Sequence, residues 1–328
     1  MRGICIGTLT LFAVSAWGQD VTRTYHFANI TAPSGFSEVV NIFRTIGDLR
    51  DVSVDATNAT LLTHGTADQM ALTDWLFPEL DRPPATPSGV DHSYQMAGTA
   101  GVVRVFHFAH ASSSPEVQEI VNVVRTAADI QRVFPLMSSK ALVTRGTTDQ
   151  VALVDWLVSE MDVAGPTPGV PVQAHQFAGV IRDSEVRVAH LSYTKTPQAI
   201  QELTNTVRTI ADMNRVFPVN APDLLVFRGD ADSVALAEWL VSELDQPAGQ
   251  PGPAPNVQQL TARWDPVARV FYLAHATSPA AVQEIVNSVR AQTHVTRIYP
   301  CNAPKALALR GSADQVTAAA NLIAQLDR

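Results

Sequence analysis

The fold is decided by residues 105–162, which read VFHFAHASSSPEVQEIVNVVRTAADIQRVFPLMSSKALVTRGTTDQVALVDWLVSEMD. The chain of 328 residues contains this stretch, in varied form, four times. The copies align on an arginine that follows an asparagine by three residues, at spacings of 81, 83 and 82. The arginines are Arg44, Arg125, Arg208 and Arg290, and the asparagines are Asn41, Asn122, Asn205 and Asn287. A fixed period indicates one structural unit repeated in tandem.

Each unit has the pattern of three strands and two helices. In the second unit, residues 103–109 are rich in β-branched and aromatic side chains, which favours a strand. Ser114, followed by proline, predicts the N-cap of a helix, and short strands are predicted at residues 132–135 and 141–145. The second helix begins at a capping box, which pairs Thr66 with Gln69, Thr147 with Gln150, and Ser312 with Gln315. Asp230 in the third unit keeps the cap without the return bond.

These elements predict an α+β protein of four tandem β-α-β-β-α modules. Each module is expected to have a small mixed sheet with two helices on one face. An extra leading strand is predicted in the last three modules, at residues 92–97, 172–177 and 257–262. The predicted modules span residues 19–82, 92–163, 172–246 and 257–328, and Pro-rich linkers, which act as semi-rigid spacers, lie between them.

Residues 1–18 are typical of a secretory signal peptide, with a charge at Arg2, an apolar run and small residues near the cleavage site. The run is too short to span a bilayer, which takes about 20 residues. We therefore expect an exported protein, periplasmic or associated with the cell envelope, without a transmembrane segment after signal removal. Cys5 is lost with the signal peptide, and the remaining Cys301 is expected to be a packed small side chain.

Composition and motifs disfavour several classes of function. The net charge of −8 and the lack of any Lys/Arg run disfavour nucleic-acid binding. No G-x-S-x-G elbow, H-E-x-x-H helix or paired-cysteine metal motif is present. Because the distinctive polar residues recur at positions with a local structural reason, we expect no enzyme, no cofactor and no metal site.

The histidines are expected to be structural. His107 and His110 are three residues apart on a strand, so their side chains point to opposite faces and cannot share a metal ion. His110, His190 and His275 are interpreted as recurring at the end of the main strand, where Asn29 stands in the first unit. We expect each of these side chains to bond to the backbone of the following loop.

Three units carry a tryptophan beside the core-facing side of the second helix. These residues are Trp75, Trp156 and Trp239, and the fourth unit has Asn321 there. Each tryptophan either packs against the linker or the next module, or covers the edge of its own module's core.

The first helix carries a second recurring set, Glu119, Asn122 and Arg125 in the second unit. The matching glutamates are Glu38, Glu202 and Glu284. Asn122 and Arg125 are three residues apart and share one surface of the helix. The set is either a solvated helix face or a lateral contact between subunits, and the candidate interaction residues are Glu119, Asn122, Arg125, Arg208, Arg290, Trp75, Trp156 and Trp239.

The motifs resemble the short N-terminal repeat of secretins, the outer-membrane channels of type II and type III secretion and of type IV pili. They are FHFAHA at residues 106–111, PAAVQEIVN at 279–287, and ALVTRGTTDQV at 141–151 with its counterpart at 306–316. The resemblance covers nearly the whole chain after the signal peptide and implies periplasmic, non-enzymatic β-α-β-β-α domains that associate side by side into rings and contact other envelope proteins.

The four copies occur without the secretin channel domain, so we expect an accessory, scaffold or binding protein rather than a channel. The partners expected are other protein subunits, through self-association or components of a secretin system. The alternative is a monomeric periplasmic or extracellular binding protein for a peptide or glycan, which would use exposed sheet edges or the joints between modules.

Overall fold

A computed structural model describes residues 21–83, 93–98, 101–178, 180–247, 250, 256–261, 264–276 and 278–328. The predicted signal peptide and most of the first and third Pro-rich linkers lie outside these ranges. Within them the chain forms four successive modules of the predicted type. The α+β class and the tandem repeat are therefore confirmed.

The modules share one order of elements. Module 1 consists of β1 (Val21–His26), α1 (Pro33–Thr45), β2 (Asp51–Asp55), β3 (Thr60–Gly65) and α2 (Ala67–Leu80). Module 2 consists of β4 (Ser93–Gln95), β5 (Gly101–His107), α3 (Ser114–Ala127), β6 (Arg132–Leu136), β7 (Ala141–Thr147) and α4 (Thr148–Met161). Module 3 consists of β8 (Gln173–Gln176), β9 (Glu185–His190), α5 (Pro197–Ala211), β10 (Arg215–Val219), β11 (Leu224–Gly229) and α6 (Ala231–Leu244). Module 4 consists of β12 (Val257–Gln259), β13 (Val267–Tyr272), α7 (Pro279–Thr293), β14 (Arg297–Cys301), β15 (Ala306–Gly311) and α8 (Ala313–Leu326).

The sheets are antiparallel rather than mixed. In module 1 the strand order is β1-β3-β2, and the other modules add the predicted leading strand beside the main strand, as in β4-β5-β7-β6. β1 and β2 run in the same direction because α1 returns the chain between them. The prediction of a mixed sheet was wrong because β3 lies between these two strands and pairs antiparallel with both.

The helix starts follow the capping chemistry. The capping boxes at Thr66, Thr147 and Ser312 are all formed, and Asp230 caps α6 through its side chain alone, as predicted. The N-cap of α3 is Ser113 instead of Ser114, because Ser113 stands three residues before Glu116 and completes a further capping box. No helix among the described residues is both long enough and apolar enough to cross a membrane.

The sheet of module 2 is buried on both faces. Successive side chains of a strand point to opposite faces, so Phe106 and Leu142 face the helices of module 2. Val103, Val105 and Val143 face the other way and join the core of module 1. The sheets of modules 3 and 4 are shared in the same manner with the module before them. Four modules therefore form one stack, in which the first helix of each module lies against the sheet of the next.

Candidate functional site: the joints between modules

An ion-pair clamp stands at the end of the first helix in each joint. Asp48, just after α1, has a left-handed backbone with φ of 53°. Its carboxylate accepts hydrogen bonds from Arg132 at 2.8 Å and Arg145 at 2.6 Å, both in module 2. Arg145 also donates to the carbonyl of Ile46 at 2.6 Å, so one arginine satisfies a free helix-end carbonyl and the nearby carboxylate.

The clamp recurs at the next two joints. Asp129 accepts from Arg215 at 2.9 Å and from Arg228 at 2.8 Å, and Arg228 also donates to the carbonyl of Ala127 at 2.5 Å. Asp212 accepts from Arg297 at 2.8 Å. At this last joint the arginine on the central strand, Arg310, donates to the carbonyl of Ile210 at 3.2 Å.

The electrostatics of the clamp favour the charged carboxylate. Burial alone raises the pKa of Asp48, but the hydrogen bonds and charges of Arg132 and Arg145 outweigh it, and the net pKa lies below the usual value. Burial lowers the pKa of Arg228 and of Arg310. Arg228 is only 3% exposed and its guanidinium lies 4.5 Å from the centre of the Phe177 ring, which makes it the most enclosed arginine of the clamp at this joint.

The predicted glutamates form the second polar contact of the joints. Glu119 accepts hydrogen bonds from the main-chain and side-chain nitrogens of Asn220 in module 3, at 2.9 and 2.5 Å. Glu202 accepts the same pair from Asn302 in module 4, at 3.0 and 2.9 Å. Glu38 accepts from the main chain of Met137 at 3.0 Å. Glu119 thus lies in a contact between modules of one chain.

Asn122 and Arg125 have different surroundings from Glu119. Asn122 is exposed and accepts from Gln118 at 3.0 Å, while its counterpart Asn205 donates to the Tyr299 hydroxyl of the next module at 3.2 Å. Arg125 donates to the carbonyl of Val133 in its own module at 3.3 Å. Its counterparts do the same: Arg44 to Val52, Arg208 to Val216 and Arg290 to Ile298. These arginines tie the first helix to the short strand that follows it.

The tryptophans stand beside the leading strand of the next module. The ring centre of Trp75 is 5.4 Å from that of Tyr94 in β4, and Trp156 stacks on His175 in β8 at 5.0 Å. Both rings therefore contact the next module, and both also pack against the cluster that holds the core of their own module. Trp239 is 9% exposed and belongs to the apolar cluster that modules 3 and 4 share. Asn321 is exposed.

The histidine interpretation was wrong in its alignment. His190 is the counterpart of His107, since both end the main strand of their sheet, and Tyr272 takes that place in module 4. Each faces a glutamate of the preceding module: His107 lies 3.7 Å from Glu79, and His190 lies 3.5 Å from Glu160. Tyr272 donates to Glu243 at 2.8 Å.

Sequence reasoning missed the carboxylate that orders the strand-to-helix loop. Asp162, just after α4, accepts main-chain hydrogen bonds from Ala109, His110 and Ala111 at 2.6, 2.9 and 2.8 Å. Asp81, Asp245 and Asp327 each accept an equivalent set of three. At His110 and His275 the backbone is therefore the donor to a carboxylate, rather than the side chain bonding to the loop. The sequence feature that could have revealed this role is the aspartate that ends each unit.

Two further features lie at the joints. Cys301 is 2% exposed against α5, with its sulfur 3.1 Å from the Thr206 hydroxyl, and burial raises its pKa to about 12. A cavity of about 350 Å³ opens between modules 2 and 3, with Ile120, Met161 and Val219 in its walls. Among the described residues, no group of three His, Cys, Asp or Glu side chains is placed to hold a metal ion.

Comparison with known proteins yields structural matches only. No family model matches the chain, and no curated protein matches it. The structure is similar to Aeromonas hydrophila ExeD, with 17% sequence identity and a TM-score of 0.17 over 70% of this chain and 42% of that one. It is similar to the N-terminal domain of the secretin XcpQ from Pseudomonas aeruginosa, with 14% identity and a TM-score of 0.23 over 64% of this chain and 77% of that one. It is also similar to the Salmonella SPI-1 type III secretion injectisome basal body proteins InvG, PrgH and PrgK, with 13% identity and a TM-score of 0.18 over 45% of this chain and 31% of that one. The chain thus spans less than half the length of ExeD.

Proposed function

We propose that this protein is an exported, non-enzymatic component of the cell envelope, and that it acts as an assembly or protein-binding scaffold accessory to a secretion or pilus system. Its partners would be other protein subunits, either further copies of itself or components of a secretin system. The observation that carries this proposal is the joint, because the same contacts hold successive modules together three times in one chain.

The use of the polar residues supports a scaffold rather than a catalyst. Glu119 and Asp129 in module 2 both hold module 3 in place, and Asp162 orders a loop of its own module. Side chains of these types would supply acid, base or metal-ligand chemistry in an enzyme, but here they are engaged in structural bonds. The flanks of such a stack remain exposed, and each module adds the same kind of surface to them. The exposed amide pair Gln118 and Asn122 is an example in module 2.

The proposal is tested first by locating the protein in the cell that makes it. Fractionation of that cell should place the protein in the periplasm or the envelope, and chemical cross-linking followed by affinity purification should recover a secretion or pilus component. A buried variant, Leu142→Asp, serves as the control, because it removes the fold and should remove the partner as well. Recovery of the protein in the cytoplasm would contradict the proposal.

A second candidate function is a monomeric binding protein for a peptide or glycan. The cavity between modules 2 and 3 favours it, since apolar walls there meet the carboxylates of Glu116 and Glu119. A peptide or glycan array probed with the purified protein tests this candidate. Binding that is lost in Met161→Trp, which would fill the cavity, supports it, and a protein that binds nothing on the arrays contradicts it.

A further inference from the structure

Two faces of the stack meet no other module in the described part of the chain. One is the outer face of the module 1 sheet, which corresponds to the face that modules 2, 3 and 4 give to their predecessors. The other is the outer side of α7, which corresponds to the sides of α1, α3 and α5 that hold the next module. We call these surfaces the sheet end and the helix end.

Most positions of the sheet end are polar. Val103 and Val105 of module 2 are 0% and 2% exposed in the joint with module 1. Their counterparts on β1 are Thr22 and Thr24, which are exposed. The position of the buried Leu136 is taken by Asp55, whose carboxylate accepts hydrogen bonds from Thr57 and Asn58 at 2.9 and 3.2 Å. Leu62, at the position of Val143, is the one large apolar side chain kept among these positions, and it is 47% exposed. The sheet end therefore has much less apolar surface than the joints depend on.

The centre of the helix end is polar as well. Val123 and Ala127 of α3 are buried in the joint between modules 2 and 3. Ser288 and Gln292 take these positions in α7, and Gln292 is exposed. The joint of modules 3 and 4 already buries a hydroxyl, Thr206, at the position of Ser288, so the glutamine carries the difference. A module placed against α7 would bury Gln292 where the internal joints bury Ile46, Ala127 and Ile210, and unpaired buried polar groups are costly.

The charges of the clamp are also replaced at both ends. Asp51 and His64 stand on the sheet end at the positions of Arg132 and Arg145. On the helix end, His294 stands at the position of Asp48, with the same left-handed backbone, φ of 56°. An internal helix face would bring its aspartate to Asp51, and an internal sheet face would bring its two arginines to His294.

The sheet end of one copy and the helix end of another are not complementary either. His294 could pair with Asp51, but Glu284, which keeps the place of Glu119 and Glu202, would meet Asp55 at the place of Val219 and Cys301. Like charges in contact are a common means of excluding a wrong partner. We propose that the sheet end and the helix end are caps that prevent end-to-end stacking, so that copies of this protein can associate only through the flanks of the stack. This inference refines the scaffold role proposed above.

In the experiment, residues at each end are replaced by those found at the matching positions of an internal joint. The sheet variant carries Thr22→Val, Thr24→Val, Asp51→Arg, Asp55→Val and His64→Arg. The helix variant carries Ser288→Val, Gln292→Ala and His294→Asp. Each variant has one rewritten end and one native cap, so each should sediment as the wild type does. An equimolar mixture should form a species of twice that mass, and a chain with both ends rewritten should form filaments one stack wide by electron microscopy.

The outcomes separate this inference from the scaffold role. End-to-end filaments of the wild-type protein would overturn the caps while leaving the scaffold intact. A mixture of folded variants that stays at the mass of the wild type would also overturn the caps, and circular dichroism of each variant shows whether it is folded. Failure to recover an envelope partner would instead count against the scaffold role, whatever the ends do.

Discussion

The carboxylate of Glu119 in module 2 accepts two hydrogen bonds from Asn220 in module 3, at 2.9 Å from the main-chain nitrogen and 2.5 Å from the side-chain nitrogen. Hydrogen bonds to a charged group contribute about 1.5–3 kcal/mol in favourable cases. Glu119→Ala should therefore lower the free energy of unfolding of modules 2 and 3 by about 1–2 kcal/mol, measured by urea denaturation. Glu284→Ala, at the exposed matching position, is the control and should change little. Equal effects of the two substitutions would contradict the role of Glu119.

Arg228 should be the most sensitive residue of its clamp. It is 3% exposed and donates to Asp129 and to the carbonyls of Ala127 and Asp183. Only the arginine of this pair is buried, since the Asp129 side chain is 42% exposed. Arg228→Ala should therefore lower the free energy of unfolding by about 2 kcal/mol, through the hydrogen bonds lost to the carboxylate and the two carbonyls. Arg228→Lys should recover only part of this loss, because an ammonium lacks the planar fork. The exposed Arg182→Ala is the control, and thermal melting that is equal in Arg228→Ala and the control would refute the prediction.

Asp327 should give module 4 a pH-dependent stability. Burial raises the pKa of this carboxylate, but three main-chain hydrogen bonds outweigh it and lower the pKa below its usual value. A carboxyl group with a lowered folded-state pKa stabilises the fold above its unfolded-state pKa, and that contribution is lost as the pH falls through the folded-state value. The difference in melting temperature between wild type and Asp327→Asn should be constant near neutral pH and shrink below about pH 4. Asp314→Asn, on an exposed helix start, is the matched control, and a difference that persists at low pH would contradict the account.

Trp156 should hold the leading strand of module 3. Its ring stacks on His175 at 5.0 Å, and aromatic pairs contribute about 0.5–1.5 kcal/mol beyond the area they bury. Trp156→Ala should therefore increase amide hydrogen exchange in β8 several-fold while α3 remains protected. Asn321→Ala, at the matching position of module 4, should have no such effect. Unchanged exchange in β8 would show that the tryptophan serves its own module alone.

Cys301 should report the opening of the joint between modules 3 and 4. Its burial and its pKa of about 12 predict that a thiol reagent reacts only after the joint opens. Arg310→Ala removes a hydrogen bond to Ile210 across the joint and should raise the labelling rate about tenfold. Arg328→Ala, on an exposed side chain, serves as the control. Fast labelling of the wild-type protein would contradict the buried thiol.

Most of the module could be predicted from local patterns. The capping boxes at Thr66, Thr147 and Ser312 specify their helices through bonds made within four residues, which a sequence shows directly. The leading strands were also predicted, although they are shorter in the structure. The antiparallel sheet was not, because the insertion of β3 between β1 and β2 depends on which strands pair, and strand pairing is not local.

The joints were harder to predict for the same reason. Glu119 and Trp156 were singled out by recurrence, but their partners Asn220 and His175 lie in another module, and no local pattern links them. The arginine that aligned the repeats, Arg125, turned out to bond within its module. The residues of the clamp, such as Asp129 and Arg228, could have been found from the sequence. The aspartate is kept in the first three copies and is His294 in the last, and the arginine is kept in the last three copies and is His64 in the first.

Because the sheets of modules 2, 3 and 4 are buried on both faces, each of these modules can complete its fold only after the module before it has folded. The outer sheet face of module 1 is largely polar and needs no preceding module to bury it, whereas the apolar face of β5 and β7 stays open until α1 has formed. The same dependence leads from module 2 to module 3 and from module 3 to module 4. A chain that leaves the ribosome N-terminus first would therefore present, at every step, the helix that the next sheet requires.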